Sequence, residues 1–310
     1  MNTYQKLTSL IGNTPLYELE TSVPSSNARI LAKLEMMSVG GSVKDRLGFY
    51  IIEQALKTRK LHQGGTVIEP TAGNTAIGLA LAAIHFKIHA IFVIPQGFSQ
   101  EKQTLARALG ATIVNTPKEL GMKGAVAKAR ELVQEIEGAY NPNQFHTEWN
   151  PEAYYYSLAR EIYEGTGGKL DVFVAGAGTS GTFMGVAKYL KEQNPSIKTV
   201  IVEPQGSIIN GGESGNHETE GIGMEFFPPF FDKALYDEAY TISDKAAFTR
   251  VAQLAKEEGL LVGSSSGAVF EACCQIADQT DKPLTIVTIF PDSGERYLSK
   301  NIYGGDRNHA

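Results

Sequence analysis

Short apolar runs alternate with stretches of helical period along almost the whole chain, and that alternation leaves few folds open. Apolar runs fall at residues 30–35, 66–69, 90–95, 112–115, 172–175, 199–203, 260–262 and 285–290. Between them, residues 44–57, 76–85, 100–109, 124–137, 151–163, 182–192, 246–257 and 267–278 repeat apolar positions at helical spacing. Strand, helix and strand in turn build a parallel sheet, because the crossover returns the chain beside the strand it left. The expected class is α/β, with twisted, mostly parallel sheets flanked by helices. At 310 residues and 42% hydrophobic, the chain can bury enough core for two closely joined domains. Sheets of this kind take their ligands outside the carboxyl ends of the strands.

Composition narrows the partners. A formal charge of -6 argues against nucleic-acid binding, which needs a basic face. Small anionic substrates stay open, because local nests of backbone N–H groups override net charge. The two cysteines, Cys273 and Cys274, are neighbours in one helical stretch and lack metal-ligand spacing, so they read as buried small apolar residues. The segment Met-Asn-Thr-Tyr-Gln-Lys has no signal pattern, and no apolar run is long enough to cross a bilayer. The expectation is a cytoplasmic protein with small-molecule partners and no membrane or metal.

Many of the 32 glycines sit where a predicted strand meets a predicted helix. In Gly176-Ala177-Gly178-Thr179-Ser180-Gly181-Thr182 a strand ends and a helix opens among three hydroxyls. A helix N-terminus with N–H and O–H donors suits a phosphate dianion. The run also satisfies G-x-G-x-x-G, with Glu203 about twenty residues on, so a nicotinamide dehydrogenase stays open at this point. Against it, the motif lies past mid-chain, and its hydroxyls suit a terminal phosphate better than a pyrophosphate. A second such junction is Glu69-Pro70-Thr71-Ala72-Gly73-Asn74-Thr75, and a third is Gly263-Ser264-Ser265-Ser266-Gly267. Each alone is satisfied by an ordinary helix cap. Together they give Lys44, in Gly40-Gly41-Ser42-Val43-Lys44-Asp45-Arg46, a task beyond that of a surface charge. An amine flanked by glycines, with an anion loop elsewhere, is suited to a Schiff base with pyridoxal phosphate.

These runs, in this order, resemble the fold-type II pyridoxal phosphate enzymes, and among them the cysteine synthase and cystathionine β-synthase family. The resemblance extends from Ile11-Gly12-Asn13-Thr14-Pro15 to Phe290-Pro291-Asp292-Ser293. It implies that Lys44 is the Schiff-base lysine and Asn74 the partner of the cofactor's ring oxygen. It makes Gly178, Thr179, Ser180, Gly181 and Thr182 the phosphate loop, and Ser265 the partner of the pyridine nitrogen. Thr71, Ala72, Gly73, Thr75 and Gln144 become the substrate carboxylate site, and Gly221, Ile222 and Gly223 part of an active-site loop. The resemblance also implies a homodimer. Its smaller, mobile domain would comprise residues 36–147 with 1–12, and its larger, cofactor-binding domain residues 148–310 with 13–35.

The match departs from the family pattern at three places. Ser38-Val39-Gly40-Gly41 stands for the usual Asn-Pro-Gly-Gly, Asn74-Thr75-Ala76 for Asn-Thr-Gly, and Thr179-Ser180-Gly181-Thr182 for Thr-Gly-Gly-Thr. Each adds a Cβ or frees a φ angle near the expected cofactor. A further position bears on substrate choice. Glu225 follows Gly221-Ile222-Gly223-Met224, where cysteine synthases tend to have glycine and cystathionine-forming members an acid. A carboxylate there can pair with the ammonium of homocysteine, and it repels bisulfide by about 0.7–2.8 kcal/mol at ~6 Å. An acid that merely points into solvent is the plain alternative. The expected reaction is β-replacement on O-acetylserine, with homocysteine the favoured acceptor and sulfide, as in a cysteine synthase, the alternative.

Overall fold

The computed structural model describes residues 4, 6–23 and 27–304. Its strands are β1 (Leu16–Glu18), β2 (Ala28–Leu34), β3 (Thr66–Pro70), β4 (His89–Pro95), β5 (Thr112–Thr116), β6 (Ala139–Tyr140), β7 (Val172–Gly176), β8 (Lys198–Pro204), β9 (Glu238–Ile242) and β10 (Leu284–Phe290). The α-helices are α1 (Lys44–Lys57), α2 (Asn74–Phe86), α3 (Gln100–Ala108), α4 (Gly121–Glu135), α5 (Trp149–Tyr155), α6 (Leu158–Gly165), α7 (Gly181–Gln193), α8 (Asp244–Gln253) and α9 (Ser264–Asp278). The fold is α/β, with two sheets.

The chain divides into two compact units: residues up to Gly12 with Ser38–Ala153, and Asn13–Met37 with Tyr154 onward. The first holds a parallel sheet in the order β5-β4-β3-β6. Helix α4 closes one face of it, packing Ala125 and Ala129 against Ile68 and Val93. Helices α1 and α2 of the same unit cross where neither has a side chain. A Cβ on Gly48 would lie 2.3 Å from the carbonyl of Gly78. That contact holds the first turn of α1 against α2.

The second unit holds a six-stranded sheet in the order β1-β2-β10-β7-β8-β9, parallel except for the β1–β2 pair. Ile30, Val174, Val200 and Ile286 of that sheet share a buried core with Phe248 and Val251 of α8 and with Val269, Phe270 and Cys273 of α9. Both cysteines are buried free thiols, and burial raises the pKa of each.

Two expected elements differ. Residues 260–262 form no strand. Leu261 is exposed, and only Val262 bridges to Ser293, after a π-turn at Leu254–Glu258 that ends in the left-handed Gly259. The helix expected over 151–163 is two, because Ser157 leaves helical geometry at φ -125 and ψ -82.

Candidate active site

In the first unit Lys44 is the first residue of α1, and the loop before it is tied down by its neighbour. The buried carboxylate of Asp45 reaches back to accept from the Gly40 amide at 2.6 Å, while Ser42 Oγ accepts from the Lys44 amide at 3.3 Å. Lys44 is half-buried, and desolvation of its amine lowers the pKa to about 8. Helix α2 fixes the other side of this turn, because a Cβ on Gly78 would meet the Lys44 carbonyl.

Strand β3 ends at Pro70, and α2 starts at Asn74 with no side-chain cap from Gly73. The first amides of α2 are donors that the helix cannot itself satisfy. Thr71 and Thr75 are buried in this stretch, and Thr71 Oγ1 accepts from the Gly73 amide at 3.4 Å. Gln144 joins them from far along the chain, its Oε1 accepting from the Thr75 hydroxyl at 2.8 Å. Thus the fold collects Lys44, Thr71, Ala72, Gly73, Asn74, Thr75 and Gln144 in one unit.

The second unit collects the other expected residues. Strand β7 ends at Gly176, Ser180 caps α7 from the left-handed region at φ 63, and α7 begins at Gly181. Ser180 is 2% exposed, and its Oγ is buried without a hydrogen-bond partner among the described residues. The turn Gly221-Ile222-Gly223 lies directly on this loop. The Gly223 amide donates to Ala177 O at 2.8 Å, and a Cβ on Gly178 would come within 2.4 Å of Gly221 O. Ser265, buried in the first turn of α9, is close by, its Oγ 3.9 Å from where a Gly221 Cβ would stand. Glu220 secures the turn, donating its amide to Ser264 Oγ at 3.0 Å and pairing with Lys300. Glu225 stands apart, exposed and without a hydrogen bond or ion pair among the described residues.

Glu203 is where the dehydrogenase reading fails. Its carboxylate is 1% exposed and accepts from Ile209 N at 2.8 Å, Asn210 N at 3.0 Å and Thr241 Oγ1 at 2.9 Å. It anchors the loop after β8 and has no face left for a ribose.

A family model described as pyridoxal-phosphate dependent enzyme matches residues 7–292. The chain belongs to that family. The enzyme is 52% identical over 305 residues to an O-acetylserine dependent cystathionine beta-synthase of Bacillus subtilis, covering 98% of this chain and 99% of that protein. It is also 52% identical over 296 residues to a cysteine synthase of Helicobacter pylori, covering 94% and 97%. Among solved structures, an O-acetylserine dependent cystathionine beta-synthase from Helicobacter pylori superposes with a TM-score of 0.93 at 50% identity, covering 98% of this chain and all of that one.

The residues present suit the family's cofactor. A buried hydroxyl at the start of α7, without a partner among the described residues, is what a phosphate would satisfy. A lysine amine with a pKa near 8 is a far better nucleophile at neutral pH than a solvated one. Among the described residues no cluster of His, Cys, Asp or Glu could hold a metal ion, and no helix is long and apolar enough to cross a membrane.

Two residues of this set carried no sign of their task in the sequence. Asp45 and Glu69 read as an ordinary helix N-terminal acid and a strand end. Both are buried carboxylates that accept from backbone N–H groups.

Proposed function

We propose that the enzyme catalyses β-replacement on O-acetyl-L-serine by a thiol, with homocysteine the favoured acceptor and cystathionine the product. The observation that carries the choice of acceptor is Glu225, an exposed carboxylate, unpaired among the described residues, two residues beyond the turn that packs on Ala177 and Gly178. It is available to an incoming ammonium.

The cofactor, when bound, supplies an electron sink for charge developing at the substrate Cα. Lys44 would hold the cofactor through its amine and would serve as the base that takes the proton from Cα. Its lowered pKa keeps a useful fraction uncharged near neutral pH. Residues 178–182 would hold the phosphate through amides and hydroxyls at the start of α7, and Asn74 would donate to the ring oxygen. Ser265 would offer the pyridine nitrogen a hydroxyl in place of a carboxylate, and a ring held so would favour elimination and replacement over transamination. Thr71, Ala72, Gly73, Thr75 and Gln144 hold the substrate carboxylate. Acetate leaves from Cβ, the thiolate sulfur bonds to Cβ, and Lys44 returns a proton to Cα. The same reading makes the enzyme a cytoplasmic homodimer, which sedimentation of the holoenzyme tests.

Sulfide is the second acceptor to weigh, because cysteine synthases are as similar in sequence as cystathionine synthases. The test offers O-acetylserine with homocysteine and sulfide together and reads both products by mass. Glu225→Gly should shift the product ratio towards cysteine about tenfold, equivalent to ~1.4 kcal/mol for a lost ion pair. An unchanged ratio places Glu225 in solvent, outside recognition, and returns the cysteine synthase reading to first place. A uniform fall in both products indicates damage to the turn instead.

A further inference from the structure

Glu69 closes β3 within the first unit, is 1% exposed, and has no ion-pair partner among the described residues. Its two oxygens face the chain at residues 141–144. Oε1 accepts from the Gln144 amide at 3.1 Å, and Oε2 from the Asn143 amide at 3.0 Å, with Asn141 Nδ2 at 3.4 Å. Asn143 sits in the left-handed region at φ 53. That conformation costs a non-glycine residue energy, and the two-pronged carboxylate holds it in place. Asn141 Nδ2 also donates to Ile68 O at 2.6 Å, and Asn150 Nδ2 donates to Gln144 O at 2.7 Å, so the segment is fixed on both sides.

What this fixation sets is the side chain of Gln144. With its Oε1 accepting from Thr75, its Nε2 is the end left to donate, and Nε2 makes no hydrogen bond among the described residues. We propose that Glu69 is a positioning residue: it clamps residues 143–144 so that the Gln144 amide is presented, together with Thr75, to the substrate carboxylate. This role rests on the reading of residues 71–75 and Gln144 as the carboxylate site. A glutamine at 69 cannot replace it, because the two backbone N–H groups donate to different oxygens of the carboxylate and an amide would turn its own NH2 donor towards one of them. Burial pushes the Glu69 carboxyl up to about 7 against the lowering effect of the two amides. An acid kept at such a cost, with no cation beside it, is kept for those donors.

The experiment measures steady-state kinetics for O-acetylserine on the holoenzyme carrying Glu69→Gln, Gln144→Ala or both. Carboxylate recognition acts on ground state and transition state alike, so its loss raises KM and spares kcat. Each single change should raise KM about tenfold, ~1.4 kcal/mol, and the double variant should equal Gln144→Ala alone. An unchanged KM in Gln144→Ala overturns the carboxylate-site reading and this role with it. A raised KM in Gln144→Ala with an unchanged KM in Glu69→Gln overturns the role alone. So does a loss that falls on kcat, or one that adds in the double variant. Where circular dichroism finds Glu69→Gln unfolded, Glu69→Asp is measured in its place by the same criteria.

Discussion

A Cβ built on Gly78 would stand 2.2 Å from the carbonyl oxygen of Lys44. The position of the lysine is therefore set by the missing side chain of a residue one turn into a neighbouring helix. Gly48 of α1 makes the reciprocal approach to α2, so the two helices cross on backbone. Tight crossing of this kind couples helix packing to the place where the amine emerges.

Gly78→Ala should force α1 and α2 apart, costing about 1–3 kcal/mol of stability as overpacking does. Turnover should fall with it, because Lys44 moves. Gly73→Ala is the control for stability: Gly73 has extended backbone and open space around its Cα. Urea denaturation of both variants checks the contrast. Equal losses would show that the crossing is not what places Lys44.

Ser180 combines a left-handed φ with a buried hydroxyl that has no partner among the described residues. Ser180→Gly removes the strain and the hydroxyl together, and Ser180→Ala removes only the hydroxyl. The glycine variant should make the apoprotein more stable by roughly 1 kcal/mol, and the alanine variant should not. Both should bind pyridoxal phosphate more weakly by about 1.5–3 kcal/mol, the worth of a hydrogen bond to a charged group. Equilibrium dialysis reads the affinity. Tighter binding in the glycine variant would mean that the hydroxyl never reaches the phosphate.

The amine of Lys44 is held to about 8 by burial, well below the range of exposed lysines. In the apoprotein its acylation by a neutral reagent, followed by peptide mass spectrometry, should reach half its maximum near pH 8, whereas surface lysines do so near ~10.4. Stability follows the same proton. Between about pH 8 and 10.5 the unfolded chain keeps a proton that the folded state has lost, so stability rises with pH across that window. Lys44→Met should abolish that rise. A rise that survives the substitution would assign it to another group.

What was legible in the sequence was local. Helix α1 runs over Lys44–Lys57, as its spacing predicts, and β3, β4, β7, β8 and β10 lie where buried apolar runs placed them. The strands absent from the sequence reading are β1, β6 and β9, and each lies at the edge of its sheet. An edge strand is covered less fully by neighbours, so it needs no continuous apolar run and leaves little pattern to read. The reverse error, at residues 260–262, has the same root. An apolar run also serves a connection, and Leu261 spends its side chain on solvent.

The site divides along the same line. Glycine and hydroxyl runs at strand ends pointed to Lys44, the loops at 71–75 and 178–182, and Ser265 as candidates, because a strand-to-helix junction is built from neighbours in sequence. The pairing of Thr75 with Gln144 spans 69 positions, and the grip of Glu69 on the Asn143 and Gln144 amides spans 74 and 75. A buried carboxylate and a strand-ending one look alike in sequence, since burial and hydrogen-bond partners are properties of what folds around a residue. By itself the sequence determined the architecture and placed the candidate residues at strand-to-helix junctions. Only the tertiary structure decided which acids are withdrawn from solvent, because the donors that make such burial tolerable arrive from distant parts of the chain.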